Sequence, residues 1–328
     1  MTKKLRWGIL GVASINDRLF PSFAKANNVE LRAIASRSPE KAKAAAKAAG
    51  IPVAHGSYEA LLDDKDIDVI YNPLPNTLHD QWTRKAAERG KHVLCEKPLC
   101  PTAAEAQALV EFCRGKGVKL LDGFMWPHHP RTQRLRQLID SGAIGEVQRV
   151  AGSFTWPMRP IDPTNIRIKR DMAGGSLLDV GCYCVYGIRW AFGAEPVKVY
   201  ATSRYQHDVD TEMNGLVWLA DGRVGAFDCS FTMPMRQWLE ITGTDGVIRV
   251  HDMWLPAKRA TWTIERIGGE PEVHAVDGED QIQHMLEGFS RSILEGSAVR
   301  PDPSEAVKTL RVLDALAASA RNGDVRQV

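Results

Sequence analysis

Between residues 5 and 125 the chain alternates short apolar runs with helical stretches, and few folds accommodate that order. The runs are LRWGILGV (5–12), VELRAIAS (29–36), IDVIYNPLP (67–75), the core of KHVLCEKPL (91–99) and VKLLDGFM (118–125). Helical segments separate them at 17–27, 38–50, 58–66, 78–89 and 102–117. The segment 38–50 has Ser38 as its cap, Pro39 in the first turn and Gly50 at its end. A strand, a helix and another strand in succession build a parallel sheet through right-handed crossovers. The expectation is therefore a doubly wound parallel sheet with helices on both faces. Near residue 125 the rhythm changes. Helical segments at 131–141 and 176–192 are followed by β-rich runs at 197–206, 212–221, 223–233, 237–252 and 260–267. Asp221-Gly222 and Asp245-Gly246 mark tight turns, as in an antiparallel sheet, and a helix over 303–323 closes the chain. The spacing predicts two domains, 1–124 and 125–328, in an α/β protein.

Composition excludes several classes of function. The 328 residues are 44% hydrophobic and 25% charged, with a net charge of +2, which argues against a broad nucleic-acid-binding face. The six cysteines, at 95, 100, 113, 182, 184 and 229, have no paired metal spacing and read as buried reduced thiols. His128 and His129 are adjacent and do not share a face, so no metal is expected. No run approaches the roughly 18 apolar residues of a membrane span. The opening MTKKLRWGIL is charged and lacks an apolar stretch before a small-residue cleavage site, so a cytoplasmic location is expected.

In a doubly wound sheet, ligands bind at the carboxyl ends of the strands, which directs attention to the first strand–helix turn, Gly8 to Asn16. Gly11 permits the tight turn. Ala13 stands where a dinucleotide fingerprint has its second glycine, and Asn16 where it has a glycine or alanine. The second strand ends in Ser36-Arg37, with Lys41 one turn on, where an NAD site usually carries a carboxylate for the ribose 2′-hydroxyl. A hydroxyl and two cations suit a 2′-phosphate, so NADP(H) is expected in preference to NAD(H).

With GILGVASIN, ASRSPEKA, YNPLPNTLH, GKHVLCEKPL and GGSLLDVGCY in order, the chain resembles the glucose–fructose oxidoreductase/inositol dehydrogenase (Gfo/Idh/MocA) family. Within it the likeness is to the dimeric dihydrodiol dehydrogenase and NADP-dependent D-xylose dehydrogenase group, whose variants of GAARI make Ala13 an ordinary residue at its position. The resemblance implies an N-terminal Rossmann domain, then an α/β domain with a large open sheet whose face forms a dimer interface in many members. It also implies cofactor contacts from Gly8, Gly11, Ala13, Ser14 and Ile15, from Ser36, Arg37 and Lys41, and from Pro73, Leu74, Asn76 and His79. Glu96 would lie near the cofactor ribose. In EKP, Lys97 reaches the active site of family members, and the bond before Pro98 is commonly cis. Asp179 and Tyr183, four residues apart, share a helix face. Tyr183 stands where many members have histidine. His79 and Arg167 are candidates to meet the substrate.

The reaction so implied is hydride transfer between the nicotinamide and a hydroxyl or carbonyl group of a sugar, polyol or cyclic diol. A free phenol, with a pKa of about 10, is a poor base. A nearby ammonium favours the phenolate, so Lys97 and Tyr183 form the acid–base pair, and which of them exchanges the proton stays open. Asp179 would orient a substrate hydroxyl or hold Lys97. The alternatives are a sugar–sugar oxidoreductase that retains its cofactor, a glycoside-cleaving enzyme with a transiently reduced cofactor, and a non-catalytic NADP-binding redox sensor. A homo-oligomer, a dimer or a tetramer, is expected, because Trp218, Phe227, Phe231 and Trp238 offer more aromatic surface than one layer of helices covers.

Overall fold

A computed structural model describes residues 3–328; Met1 and Thr2 of the charged opening segment lie outside it. The chain divides into two compact units. One comprises the residues up to 128 together with 280–307, and the other comprises 129–279 together with 308–328.

The first unit contains strands β1 (Leu5–Leu10), β2 (Val29–Ala35), β3 (Val53–His55), β4 (Val69–Asn72), β5 (His92–Cys95) and β6 (Leu120–Asp122). They are ordered β3-β2-β1-β4-β5-β6, with all neighbours parallel. This is the Rossmann order, with its switch point between β1 and β4. Between the strands run α1 (Asn16–Lys25), α2 (Pro39–Ala49), α3 (Tyr58–Asp63), α4 (His79–Glu88) and α5 (Ala103–Gly115). The boundaries of α2 follow from its chemistry. Ser38 Oγ accepts from the Lys41 amide, Pro39 occupies the first turn, and Gly50 stops the helix in the left-handed conformation. Thr102 and Ser57 cap α5 and α3 in the same way.

A late segment completes this unit. Helix α8 (Gln281–Glu295), capped by Asp280, buries Ile282, Met285, Leu286 and Phe289 at helical spacing in the core of the parallel-sheet unit. Phe289 meets Trp7 edge-on at 6.0 Å, and Phe23 meets the same indole at 5.6 Å. Burying each such side chain stabilises the unit by roughly 1.5–3 kcal/mol. The uninterrupted second domain expected over 125–328 is thus broken by a return of the chain to the first unit.

The second unit opens with α6 (Pro130–Asp140) and β7 (Val147–Thr155). A widened π-helical turn, Leu177–Gly181, then leads into α7 (Cys182–Phe192). Strands β8 (Lys198–Gln206), β9 (Val209–Trp218), β10 (Val224–Ser230), β11 (Leu239–Gly243), β12 (Gly246–Val250), β13 (Arg259–Arg266) and β14 (Glu272–Asp277) follow. Helix α9 (Ser304–Asn322) and the short β15 (Arg326–Gln327) end the chain. The nine strands are ordered β14-β13-β12-β11-β7-β10-β9-β8-β15, and only the β10–β7 pair is parallel. The sheet is covered on one side by α7, and its strands alternate buried with half-exposed residues. The aromatic argument for a dimer needs correcting. Phe227 and Phe231 are buried, and only Trp218 and Trp238 of the four are partly exposed. All six cysteines are buried and free.

Candidate active site

At the switch point, β1 ends at Leu10 and the chain turns at Gly11, whose φ of +99° only glycine adopts freely. Gly8 lies inside β1, packed against Leu61. The turn through Ala13, Ser14 and Ile15 is half-exposed to exposed, and Ile15 caps α1 without a side-chain hydrogen bond. The first helical amides, of Asn16, Asp17 and Arg18, donate to the Ala13, Ser14 and Ile15 carbonyls at 3.0, 3.4 and 3.1 Å, while the amides of residues 12–15 make no backbone hydrogen bond among the described residues, an arrangement that holds phosphate. Asn16 makes this turn rigid. It is buried, and its Nδ2 donates to the Gly11 carbonyl at 2.9 Å. A third glycine would leave that carbonyl unbound, so the departure from the fingerprint has a physical reason.

At the end of β2, Ser36 is buried, and its Oγ accepts the Ser38 amide, which leaves the hydroxyl proton to donate outward. Arg37 and Lys41 are exposed, and no carboxylate among the described residues pairs with either. Carboxylates do pair with cations elsewhere in the unit, as Asp66 and Asp68 do with Arg6. The open turn before α1, the hydroxyl and the two free cations fit a dinucleotide bearing a 2′-phosphate.

The loop after β4 carries Pro73, Leu74 and Asn76. Pro73 and Leu74 are buried, Asn76 is half-exposed, and the Leu74 amide donates to Asn72 Oδ1. His79, expected to face substrate, does not. Its ring is wholly buried, with Nε2 2.7 Å from the Leu74 carbonyl and Nδ1 2.8 Å from the Pro98 carbonyl. Burial pushes the imidazole down to about 4, against the pull of the two carbonyls. His79 ties the loop after β4 to the loop after β5 from beneath.

The loop after β5 holds the EKP motif, and the Lys97–Pro98 bond is cis. Glu96 is buried and internally engaged. Its Oε1 accepts from the Tyr71 hydroxyl at 2.7 Å, and its Oε2 from the Lys97 amide at 3.3 Å. Burial raises its pKa, with the Lys97 charge opposing. Glu96 thereby anchors the backbone of Lys97, whose side chain is half-buried. Sequence reasoning missed Asp122, at the end of β6 and opposite Cys95 in register, where burial pushes the carboxyl up to about 8.

In the second unit, Asp179 lies in the π-helical turn and Tyr183 in the first turn of α7. Tyr183 is buried and meets Phe154 edge-on at 5.1 Å, so its ring is held by packing. Arg167, in a short 3-10 turn, is half-exposed. Its Nε donates to Asp179 Oδ2 at 2.9 Å, and its guanidinium lies 6.0 Å over the Trp156 ring. The guanidinium, a candidate to meet substrate, is one member of a pair with Asp179. Among the described residues no group of three or more His, Cys, Asp or Glu could hold a metal ion. His129 caps α6 through its Nδ1, and among the described residues no helix is long and apolar enough to cross a membrane.

Comparison with known proteins agrees with this geometry. A family model described as an oxidoreductase family with an NAD-binding Rossmann fold matches residues 5–124, and a GFO/IDH/MocA C-terminal domain matches 132–249. D-xylose 1-dehydrogenase (NADP(+)) 2 of Haloferax volcanii is 38% identical over 97% of this chain and 98% of its own. Trans-1,2-dihydrobenzene-1,2-diol dehydrogenase of Xenopus tropicalis is 31% identical over 76% of this chain and 77% of its own. A crystal structure of an aldose–aldose oxidoreductase from Caulobacter crescentus, complexed with glycerol, superposes with a TM-score of 0.91 at 28% identity. It covers 99% of this chain and all of its own.

Proposed function

The chain belongs to the Gfo/Idh/MocA family of oxidoreductases, and from that premise we propose that it transfers a hydride between NADP(H) and a carbinol or carbonyl carbon of a sugar, polyol or cyclic diol. The observation that carries the reading is the carboxyl edge of the parallel sheet. The open turn after Gly11, the Ser36, Arg37 and Lys41 cluster, and the anchored Lys97 line one edge of one sheet. When bound, the nicotinamide supplies the hydride acceptor or donor.

The chain's residues supply position and proton transfer. Arg37 and Lys41 hold the 2′-phosphate, with the Ser36 hydroxyl as a further donor. Lys97 polarises the substrate oxygen and favours the phenolate of Tyr183, which exchanges the hydroxyl proton. The Arg167–Asp179 pair presents a donor and an acceptor to neighbouring substrate hydroxyls. The half-exposed face of the nine-stranded sheet takes a second copy of the chain, and the alternation of buried and part-exposed residues supports this.

The test is an absorbance screen at the reduced-nicotinamide band, across aldoses, inositols and diols, with both cofactors. Turnover of at least one such alcohol with NADP is expected, and none with either cofactor would refute the proposal. The likeness to an aldose–aldose oxidoreductase favours a second reading, in which the cofactor stays bound and two sugars exchange oxidation state. Cofactor that survives desalting, with paired oxidised and reduced sugars as products, would distinguish it.

A further inference from the structure

One carboxylate of the second unit is absent from the chemistry above. Asp210 stands near the start of β9, and its side chain turns onto the segment that leads into the π-helical turn. A single oxygen, Oδ2, accepts from the Ser176 hydroxyl at 2.7 Å and from the Leu177 amide at 2.6 Å. The other oxygen lies against Gly175, where an added Cβ would stand 2.2 Å from Oδ1 and where φ is +116°, so no other residue fits. Gly175 in turn connects both members of the Arg167–Asp179 pair. Its amide donates to the Arg167 carbonyl at 2.9 Å, and its carbonyl accepts the Asp179 amide at 3.1 Å. The turn that follows is wide, with the Cys182 amide reaching back five residues to the Leu177 carbonyl.

Resting on the reading of Arg167 and Asp179 given above, we propose that Asp210 is the positioning residue of this half of the site. It fixes the widened turn, and through Gly175 it holds the Arg167–Asp179 pair in register with Tyr183. An ordinary helix-capping aspartate would stabilise α7 and do no more. The difference here is that the backbone it grips hydrogen-bonds directly to the residues that face substrate. The groups around the carboxylate are the Ser176 hydroxyl and the amides of the turn, the Cys229 thiol from β10, and Tyr205, opposite in register on β8. Without a cation among the groups that stabilise its charge, burial pushes Asp210 up to about 6. The closed turn therefore keeps a proton that an opened turn releases, and the grip weakens as pH rises towards that value.

The experiment compares Asp210→Asn and Ser176→Ala with the wild type, by amide hydrogen exchange over residues 174–183 and by steady-state kinetics. Faster exchange is expected in both variants. So is a kcat lower by about ten- to a hundredfold in Asp210→Asn, the size of effect that a misplacement of about an ångström produces. The Michaelis constant for NADP should not move, because the cofactor-binding residues are untouched. Exchange in the wild type, divided by the intrinsic rate at each pH, should rise as pH rises towards 6, and that step should vanish in Asp210→Asn. Unchanged exchange overturns the proposal, whatever the kinetics. Faster exchange with an unchanged kcat also overturns it, since Asp210 would then be a cap alone. If the wild type oxidises no sugar, polyol or diol, the functional reading fails separately, and the exchange measurement still decides whether Asp210 holds the turn.

Discussion

Replacing Asp122 with asparagine should change how the stability of the protein depends on pH. The carboxyl is enclosed at the end of β6, and its Oδ1 has no hydrogen-bond partner among the described residues. Burial, then the nearby Glu96 charge, pushes it from the ordinary 3.8 to about 8. Between those values the folded chain keeps a proton that the unfolded chain has released, so stability falls as pH rises. The slope is at most about 1.4 kcal/mol per pH unit. Summed across the window, the loss is at most roughly 6 kcal/mol, a large part of a typical domain stability of about 5–15 kcal/mol. Asparagine keeps the shape and removes the titration. Urea unfolding at pH 5 and pH 8 should show the wild type losing more stability than Asp122→Asn, by about 2–4 kcal/mol in the difference of differences. Titrating groups that do not interact with Asp122 cancel in that comparison. Equal losses in the two proteins would refute the reasoning, and would mean that Asp122 is hydrated or paired in solution.

Arg37→Asp should raise the Michaelis constant for NADP about ten- to a hundredfold, because each charge-assisted bond to the 2′-phosphate contributes roughly 1.5–3 kcal/mol. The constant for NAD should stay level or improve; an equal effect on both cofactors would remove Arg37 from the phosphate site. Lys97→Met should bind NADPH normally by nicotinamide fluorescence yet transfer no hydride, and Tyr183→Phe should lose activity as well. Near-normal turnover in Lys97→Met would end the proposed acid–base scheme, whereas a mild effect of Tyr183→Phe would assign the proton to Lys97. Light scattering at micromolar concentration should give at least twice the 36.3 kDa chain mass; a monomer mass contradicts the sheet-face assembly.

The elements legible in the sequence are those whose ends are fixed by local chemistry. Helix α2 has its serine cap, its proline and its glycine, and the structure ends it at the same residues. The β4-to-α4 and β5-to-α5 turns carry proline and polar residues and are equally plain. Other elements depend on contacts that no short window contains. Strand β3 has only three half-buried residues, VAH, too few for any alternation to register. Strand β7 sits in the middle of the large sheet, parallel to β10, and its burial pattern is nearly continuous at one end, so no period of two marks it. Helix α8 does show its i, i+3, i+4, i+7 pattern, but nothing in its residues says which core they complete. At the site, residue types pointed to Lys97, Tyr183 and Asp179, while the partners depended on the fold. His79 reads as a substrate contact from its place after the third apolar run, whereas both of its ring nitrogens face backbone carbonyls, and Asp210 acts on the site from 31 residues beyond Asp179 in the chain.

The return of α8 to the nucleotide-binding unit has a consequence for how the protein is made. A nascent chain that has just passed residue 128 has all six parallel strands, yet it still lacks the cover over Trp7 and Phe23 that Met285, Leu286 and Phe289 provide. At about 5–20 residues per second, the ribosome needs roughly 10–30 seconds more to deliver that helix. During that interval the large antiparallel sheet is synthesised while the apolar surface of the first unit awaits its last segment. The two units therefore cannot mature one after the other in the order of synthesis. The earlier one is finished only after nearly all of the later one has been translated, and a chain released early leaves an open hydrophobic groove for chaperones or other copies to find.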